Sequence, residues 1–217
     1  MTRTLRWLGG LLAAVTAGTV GLAAPARAAT VSQPLRTLVA NLPVATEIRT
    51  GYSRDLFPHW TDADGDGCNT RYEVLIAEAT TRPSVGSGCV LSGGRWYSYY
   101  DAAYWTNPAD LDIDHMVALA EAWDSGARSW TTSRRQSFAN DLGDARSLVA
   151  VTDNVNQAKG DQDPTTWMPT NDRCRYVAEW AAVKTRWRLT VDTAEKNALT
   201  SYAGSCSNIT VTVTHAF

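Results

Sequence analysis

Apolar and polar positions alternate in two different ways along the chain after residue 28. Apolar residues three or four positions apart, as in Leu35, Leu38, Val39 and Leu42, are typical of a helix with one buried face. With capping residues, prolines and glycines as boundaries, this spacing predicts helices over residues 32–42, 71–80, 119–123, 131–142, 153–159, 172–189 and 192–202. Short apolar or aromatic runs predict strands over residues 95–100, 111–117 and 148–151.

Two ends of predicted elements carry specific signals. Asp192 and Glu195 have the spacing of a capping box, which predicts a helix start, and Gly126 ends the helix over residues 119–123. After Cys206, Ile209, Val211 and Val213 alternate with threonines, which is typical of an edge strand or of a loose end. There is no internal repeat, heptad or low-complexity linker, so residues 29–217 are predicted to form one α+β domain.

The first 28 residues have the pattern of a signal peptide. Arg3 and Arg6 precede an apolar run over residues 8–24, and Ala26-Arg27-Ala28 is an A-x-A cleavage site. A membrane anchor is the alternative, but glycines and threonines dilute the run and a processing site ends it. We expect cleavage near Ala28, secretion, and no stable membrane association afterwards.

The charge of the mature chain is negative. The whole chain has 20 Lys+Arg and 22 Asp+Glu, and the signal peptide removes three arginines and no acid, so 17 − 22 gives −5. That total argues against a protein that coats DNA. It does not exclude an enzyme that contacts nucleic acid briefly through a local basic rim.

An even number of cysteines in an exported chain predicts disulfides. Three pairings of the four are possible, and we expect Cys68–Cys89 and Cys174–Cys206 because each closes a local unit. A zinc cluster is the alternative, and the absence of Cys-x-x-Cys spacing argues against it.

The candidate chemistry lies in two segments about forty residues apart. Asp114 precedes His115, one of only three histidines, and Asn156 and Lys159 follow the predicted strand over residues 148–151. A carboxylate beside an imidazole, with a distant carboxamide, provides an oxygen ligand for a metal and a base for water. Taken singly, each residue is more often structural: a packed histidine, a helix cap or a turn residue.

The runs Asp112–Trp123 and Leu148–Asp161 resemble the start and the end of an HNH nuclease motif. From about Gly51 to Cys206 the chain resembles the secreted bacterial HNH endonuclease family proteins. The resemblance implies a ββα-metal (HNH) finger, with its core over residues 110–165, embedded in a mostly helical single domain with two disulfides.

The resemblance also implies roles for the site residues. Asp114 and Asn156 would bind one divalent metal ion, Mg²⁺ or Mn²⁺, His115 would be the general base, and Lys159 would face the substrate phosphate. Many HNH proteins orient the histidine with an asparagine on the second strand. The corresponding stretch here is residues 146–148, which has none, so Ser147, Asn154 or a backbone carbonyl is left for this task.

A second acidic cluster fits the calcium-loop pattern D-x-D-x-D-G-x5-E, with acids at Asp62, Asp64, Asp66 and Glu73. The flanks depart from that pattern: Asn69 stands where such loops have an apolar residue, and no entering helix is predicted. A structural Ca²⁺ site, a solvated acidic turn and a wall of the active site all remain open.

Two arginines are candidate ligands for a substrate phosphate: Arg71, beside the acidic cluster, and Arg128, between the two halves of the motif. The basic residues of the helix over 172–189 are interpreted mainly as solvated faces; they are Arg173, Arg175, Lys184, Arg186 and Arg188.

The sequence therefore predicts a secreted, metal-dependent endonuclease that hydrolyses phosphodiester bonds of DNA, and RNA remains open as a substrate. The alternative is a non-catalytic, calcium-binding extracellular module. A zinc hydrolase is a third class, disfavoured because no His-Glu-x-x-His occurs. Nothing in the sequence identifies a protein partner.

Overall fold

The computed structural model describes Met1 and residues 29–217, so the predicted signal peptide, apart from Met1, lies outside the described residues. The described helices are α1 (Leu35–Asn41), α2 (Thr70–Glu78), α3 (Leu119–Asp124), α4 (Thr132–Ala139), α5 (Asp153–Lys159), α6 (Arg173–Arg186) and α7 (Thr193–Ser205). The described strands are β1 (Thr30–Pro34), β2 (Ser84–Val85), β3 (Leu91–Ser92), β4 (Trp96–Ser98), β5 (Ala103–Trp105), β6 (Leu111–His115), β7 (Leu148–Thr152) and β8 (Thr210–Thr214).

The strands form four antiparallel pairs in the described part of the chain: β1 with β8, β2 with β3, β4 with β5, and β6 with β7. In the β6–β7 pair, Leu111 lies opposite Thr152 and His115 opposite Leu148. One face of this pair, with Ile113 and Ala150, packs in a small cluster with Trp96, whereas β7 also contributes to the main core. Because both faces are covered, the β7 sequence is a continuous apolar run rather than an alternating one.

The main core surrounds α6, whose Tyr176 and Trp180 are fully buried. Helices α1 and α7 pack against it and against each other. The disulfide Cys174–Cys206 also links α6 and α7, because it joins the first turn of α6 to the residue after α7. The other disulfide joins Cys68 to Cys89. No described helix has the length and apolarity that crossing a membrane requires.

The chain around Pro34 differs from the prediction. Residues 32–34 belong to β1 rather than to a helix, and α1 starts at Leu35. The reason is tertiary: β1 pairs with β8 along its whole length, which places Val31 opposite Val213. The tail after Cys206 is therefore a paired strand rather than a loose end.

The basic residues of α6 were also partly misjudged from the sequence. Lys184 and Arg186 are buried, not solvated. Lys184 Nζ donates to Glu121 (2.5 Å) and to Glu195 (3.1 Å), and Arg186 Nε donates to Asp141 (2.6 Å). Each buried cation is thus paired with carboxylates, as the interior of a protein requires.

The start of α7 shows half of the predicted capping box. Asp192 accepts a hydrogen bond from the backbone N–H of Glu195 (2.7 Å), which is the N-cap bond. The Glu195 carboxylate instead accepts from Trp180 Nε1 (2.5 Å) and from Lys184, so it forms buried hydrogen bonds rather than the second bond of the capping box.

Candidate functional site

The end of β6 and the helix α5 bring the predicted catalytic residues to one cleft. Asp114, His115 and Asn156 all line it, and its volume is ≈ 170 Å³. Larger cavities of ≈ 480 and ≈ 440 Å³ lie elsewhere and are not lined by these three residues. The chemistry of the lining, rather than its size, singles out the smaller cleft.

His115 is held by a backbone carbonyl. Its Nε2 lies 2.9 Å from the oxygen of Ala139, the last residue of α4. A carbonyl oxygen can only accept, so Nε2 carries the proton and Nδ1 keeps a free lone pair. Burial lowers the pKa of His115 to about 3, so the ring is neutral at physiological pH. An imidazole with that pKa is a weak base, and the negative charge of a bound phosphodiester would raise it.

This carbonyl resolves which group orients His115. Ser147 is engaged elsewhere, because its hydroxyl donates to Asp141 (2.7 Å). Asn154 is exposed on α5. Of the three groups left open by the sequence, the backbone carbonyl makes the contact.

The aromatic rings of Trp60 and His59 lie close to the ring of His115. The rings of Trp60 and His115 have centroids 5.3 Å apart, and the His59 ring lies 6.4 Å from His115. Trp60 has a φ of 57°, a left-handed conformation that costs a large side chain on the order of 1–3 kcal/mol. Asn140 fixes the chain on both sides of it, donating to the carbonyl of Pro58 (2.8 Å) and accepting from the N–H of Thr61 (3.0 Å).

Asp114 is buried between two donors. Lys159 Nζ donates to its Oδ1 (2.8 Å), and the Tyr100 hydroxyl donates to its Oδ2 (2.5 Å). Burial raises the pKa of Asp114, and the neighbouring Lys159 ammonium opposes that rise. Burial also raises the pKa of Tyr100 well above its ordinary value, so this hydroxyl stays a donor.

The position of Lys159 corrects the role expected for it. Its side chain is fully buried, and Nζ also donates to the carbonyl of His115 (3.1 Å). Lys159 therefore does not face a phosphate. It neutralises Asp114 and ties α5 to the end of β6.

Two side chains of the cleft, Asp114 and Asn156, carry oxygen atoms of the type that divalent cations bind. Asn156 Nδ2 donates to Asp112 Oδ2 (3.4 Å), which leaves the amide oxygen of Asn156 as an acceptor. Oδ1 of Asp114 accepts from Lys159 and Oδ2 accepts from Tyr100, and each of these oxygens retains a second lone pair. A carboxylate, an amide oxygen and water molecules are a donor set that suits Mg²⁺ or Mn²⁺.

The two arginines predicted to bind phosphate have other partners. Arg71 Nη2 donates to the carbonyls of Pro108 (3.2 Å) and Leu111 (2.9 Å), so it fixes the start of β6. Arg128 Nη1 lies 3.4 Å from the carbonyl of Asp124. Neither lines the cleft. The structure therefore does not bring either arginine to the candidate catalytic residues, because the fold directs both side chains elsewhere.

The acidic cluster forms a compact loop before α2. One carboxylate oxygen from each of Asp62, Asp64 and Asp66 lies within 4.8 Å of the others. In a second group, a carboxylate oxygen of Asp66, one of Glu73 and the Sγ atom of Cys68 also lie within 4.8 Å of one another. Asp62 accepts from the backbone N–H groups of Gly65 (2.8 Å) and Gly67 (3.0 Å). The three aspartates are exposed and do not line the cleft.

Comparison with known proteins shows the class of domain. Residues 70–202 match the family described as GmrSD restriction endonucleases, C-terminal domain. The match covers more than half of the chain and contains Asp114, His115 and Asn156. The chain belongs to this family. The resemblance to endonucleases seen in the sequence is thus supported at the level of an endonuclease family.

A named relative is similar over most of the chain. An uncharacterized secreted protein of Arthroderma benhamiae is 54% identical over 158 residues, which are 72% of this chain and 76% of that protein. The relative comes from a fungus, whereas the expected resemblance was to bacterial proteins. The name of this relative describes a secreted protein, which agrees with the signal peptide predicted for the chain described here. The present protein is secreted. No solved structure matches the chain.

Proposed function

We propose that the protein is a secreted, metal-dependent endonuclease of the HNH type that hydrolyses phosphodiester bonds of DNA. The observation that carries this proposal is the convergence of Asp114, His115 and Asn156 on one cleft, although Asn156 is 41 residues from His115 in sequence. In this proposal β6, β7 and α5 form the ββα-metal finger. The family membership supports an endonuclease, and the chemistry of the three residues supports the HNH mechanism.

His115 is the general base of the proposed reaction. Its Nδ1 accepts a proton from the attacking water, while the bond from Nε2 to Ala139 stabilises the ring and holds its orientation. The water oxygen then bonds to phosphorus as the P–O bond on the opposite side breaks, and the departing oxygen takes a proton from solvent. General base catalysis accounts for about 10²–10⁴ of the rate enhancement.

Asp114 and Asn156 would hold one Mg²⁺ or Mn²⁺ ion. When bound, the ion supplies positive charge that stabilises the transition state and the leaving oxygen. Lys159 and Tyr100 keep the Asp114 carboxylate in one orientation, so this side chain would need little reorganisation to hold an ion.

The test is plasmid cleavage by the mature protein with Mg²⁺, Mn²⁺ or EDTA. We expect nicking that requires metal and that falls by about 10²–10⁴-fold in His115→Ala. His215→Ala is a matched control, because this half-buried histidine bonds to the carbonyl of Thr185 and does not line the cleft. Unchanged cleavage by His115→Ala would remove this residue from the mechanism. A parallel RNA substrate distinguishes the two nucleic acids.

We also propose that the acidic loop binds a structural Ca²⁺ ion. Support comes from the close approach of the Asp62, Asp64 and Asp66 carboxylates and from Glu73 at the twelfth position. Calorimetric titration of calcium should give binding that is lost in Asp64→Ala. Equal heats for Asp64→Ala and the parent protein would exclude this site. If calcium binds and no cleavage occurs, the alternative of a calcium-binding extracellular module is favoured.

A further inference from the structure

We propose that Arg54 binds the phosphate group of the substrate at the catalytic cleft. This inference rests on the proposed function. It identifies a cationic residue that contacts substrate, which neither the sequence patterns nor the family match indicated, because residue 54 lies before the matched range of 70–202.

The lining of the cleft is the first argument. Among the described residues that line it, Arg54 is the one arginine or lysine. Asp114 and Asp161 add negative charge to the same lining. A phosphodiester therefore meets one side-chain cation beyond the proposed metal ion, and that cation is Arg54.

The freedom of the guanidinium is the second argument. Arg54 is exposed, and no hydrogen bond or ion pair of its side chain occurs in the described part of the chain. Other arginines near the site are engaged: Arg49 pairs with Asp124 (2.7 Å), and Arg71 bonds to backbone carbonyls. A guanidinium with five unengaged donors suits a phosphate, which accepts two parallel hydrogen bonds.

The backbone beneath Arg54 is fixed. Residues Arg54–Leu56 form a single 3-10 turn, capped by the hydroxyl of Ser53. Phe57 is fully buried, and Arg135 Nε donates to the carbonyl of Leu56 (2.8 Å). The side chain is thus mobile on a rigid base, so little backbone ordering is required when a phosphate binds.

The experiment measures binding without cleavage. Fluorescence anisotropy of a labelled single-stranded DNA oligonucleotide and of its duplex, in EDTA, compares the parent protein with Arg54→Ala and Arg54→Lys. Arg82→Ala is the matched control, because Arg82 is also exposed, has no side-chain bond among the described contacts and lies outside the cleft.

We expect Arg54→Ala to weaken binding by about ten- to a hundredfold. The slope of log K against log salt should fall by about 0.7–0.9, the value for one phosphate contact. Arg54→Lys should keep the slope while losing part of the affinity, because an ammonium retains the charge without the two parallel bonds. Equal affinity and slope for Arg54→Ala and Arg82→Ala would overturn the proposal, as would absence of binding by the parent protein.

Cleavage assays separate this proposal from the proposed function. Binding that depends on Arg54, without cleavage that depends on His115, would retain the phosphate site and reject the nuclease. Cleavage that depends on His115 but is equal in Arg54→Ala and Arg82→Ala would retain the nuclease and reject the role of Arg54.

Discussion

Lys159 and Asp114 form an ion pair that is almost entirely removed from water: their side chains are 0% and 6% exposed. Taking both charges out of water is costly, and only the mutual attraction and the bonds to Tyr100 and to the carbonyl of His115 offset that cost. The pair is therefore a condition for keeping a carboxylate at the cleft, rather than a source of net stability.

Lys159→Met tests this account. It removes the cation and leaves Asp114 buried without it, so the free energy of unfolding should fall by about 3–5 kcal/mol. Denaturant unfolding measures the change. The double variant Asp114→Asn/Lys159→Met removes both charges and should lose clearly less. A single variant as stable as the parent would contradict the proposed function of Lys159 as the counter-ion.

At the scale of secondary structure, Glu78 connects α2 to the free edge of β7. Its Oε2 accepts from the backbone N–H of Ala150 (2.7 Å). Among the described strands, β7 pairs only with β6, so this bond satisfies an edge donor that would otherwise lack a partner. Burial raises the pKa of Glu78 to about 7, against an ordinary value of 4.5.

Glu78→Gln should therefore be more stable than the parent above pH 7, by about 1–3 kcal/mol. The folded protein binds the Glu78 proton more tightly than the unfolded chain does. Its contribution is complete below pH 4.5 and is lost as the pH rises through 7, whereas glutamine keeps an acceptor and does not ionise. Unfolding curves at pH 4 and pH 8 measure this. A stability difference that does not change with pH would contradict the raised pKa.

Most elements were predictable from local sequence, and particular residues show why. Helices α2 to α7 follow from apolar spacing and from caps such as Thr131, which accepts from the N–H of Arg134. Strand β5 was missed because its three residues pair with β4 through a turn that has no Gly or Pro signal. Strand β1 was misread because its partner β8 is about 180 residues away.

The site was predictable only where a side chain itself carries the chemistry. Asp114, His115 and Asn156 were selected by residue type and spacing, and the structure places all three in the lining of one cleft. The carbonyl of Ala139 leaves no trace in a sequence, because every residue has one. Nothing in the sequence separates Tyr100 from the other aromatic residues near it, and nothing there marks Trp60 as a neighbour of His115. Arg54 had no motif, and only the folded chain brings it to the cleft.

The whole molecule has two covalent links in different places. The disulfide Cys174–Cys206 connects α6 to the end of α7, and its Cys206 belongs to the main core, whereas Cys68–Cys89 closes the segment that follows the acidic loop. The first link encloses a sequence separation of 32 residues. Its loss should be felt across the molecule, because α6 contacts α1, α7 and β8.

The variant Cys174→Ala/Cys206→Ala should lower the free energy of unfolding by about 3 kcal/mol. The reason is that the unfolded chain gains freedom once the loop is open. Denaturant unfolding of this variant beside the parent measures the loss, and Cys68→Ala/Cys89→Ala serves as the comparison. A loss below about 1 kcal/mol would show that the core alone holds α6 and α7 together.

The pairing of β1 with β8 has a consequence for truncated chains. Thr30 lies opposite Thr214, and the N–H of His215 donates to the carbonyl of Ala29 (2.9 Å). Because β1 and β8 lie at opposite ends of the described residues, the backbone groups of β1 that face β8 have partners only when both strands are present. A chain that is truncated before Thr210 should therefore leave β1 with an unpaired edge.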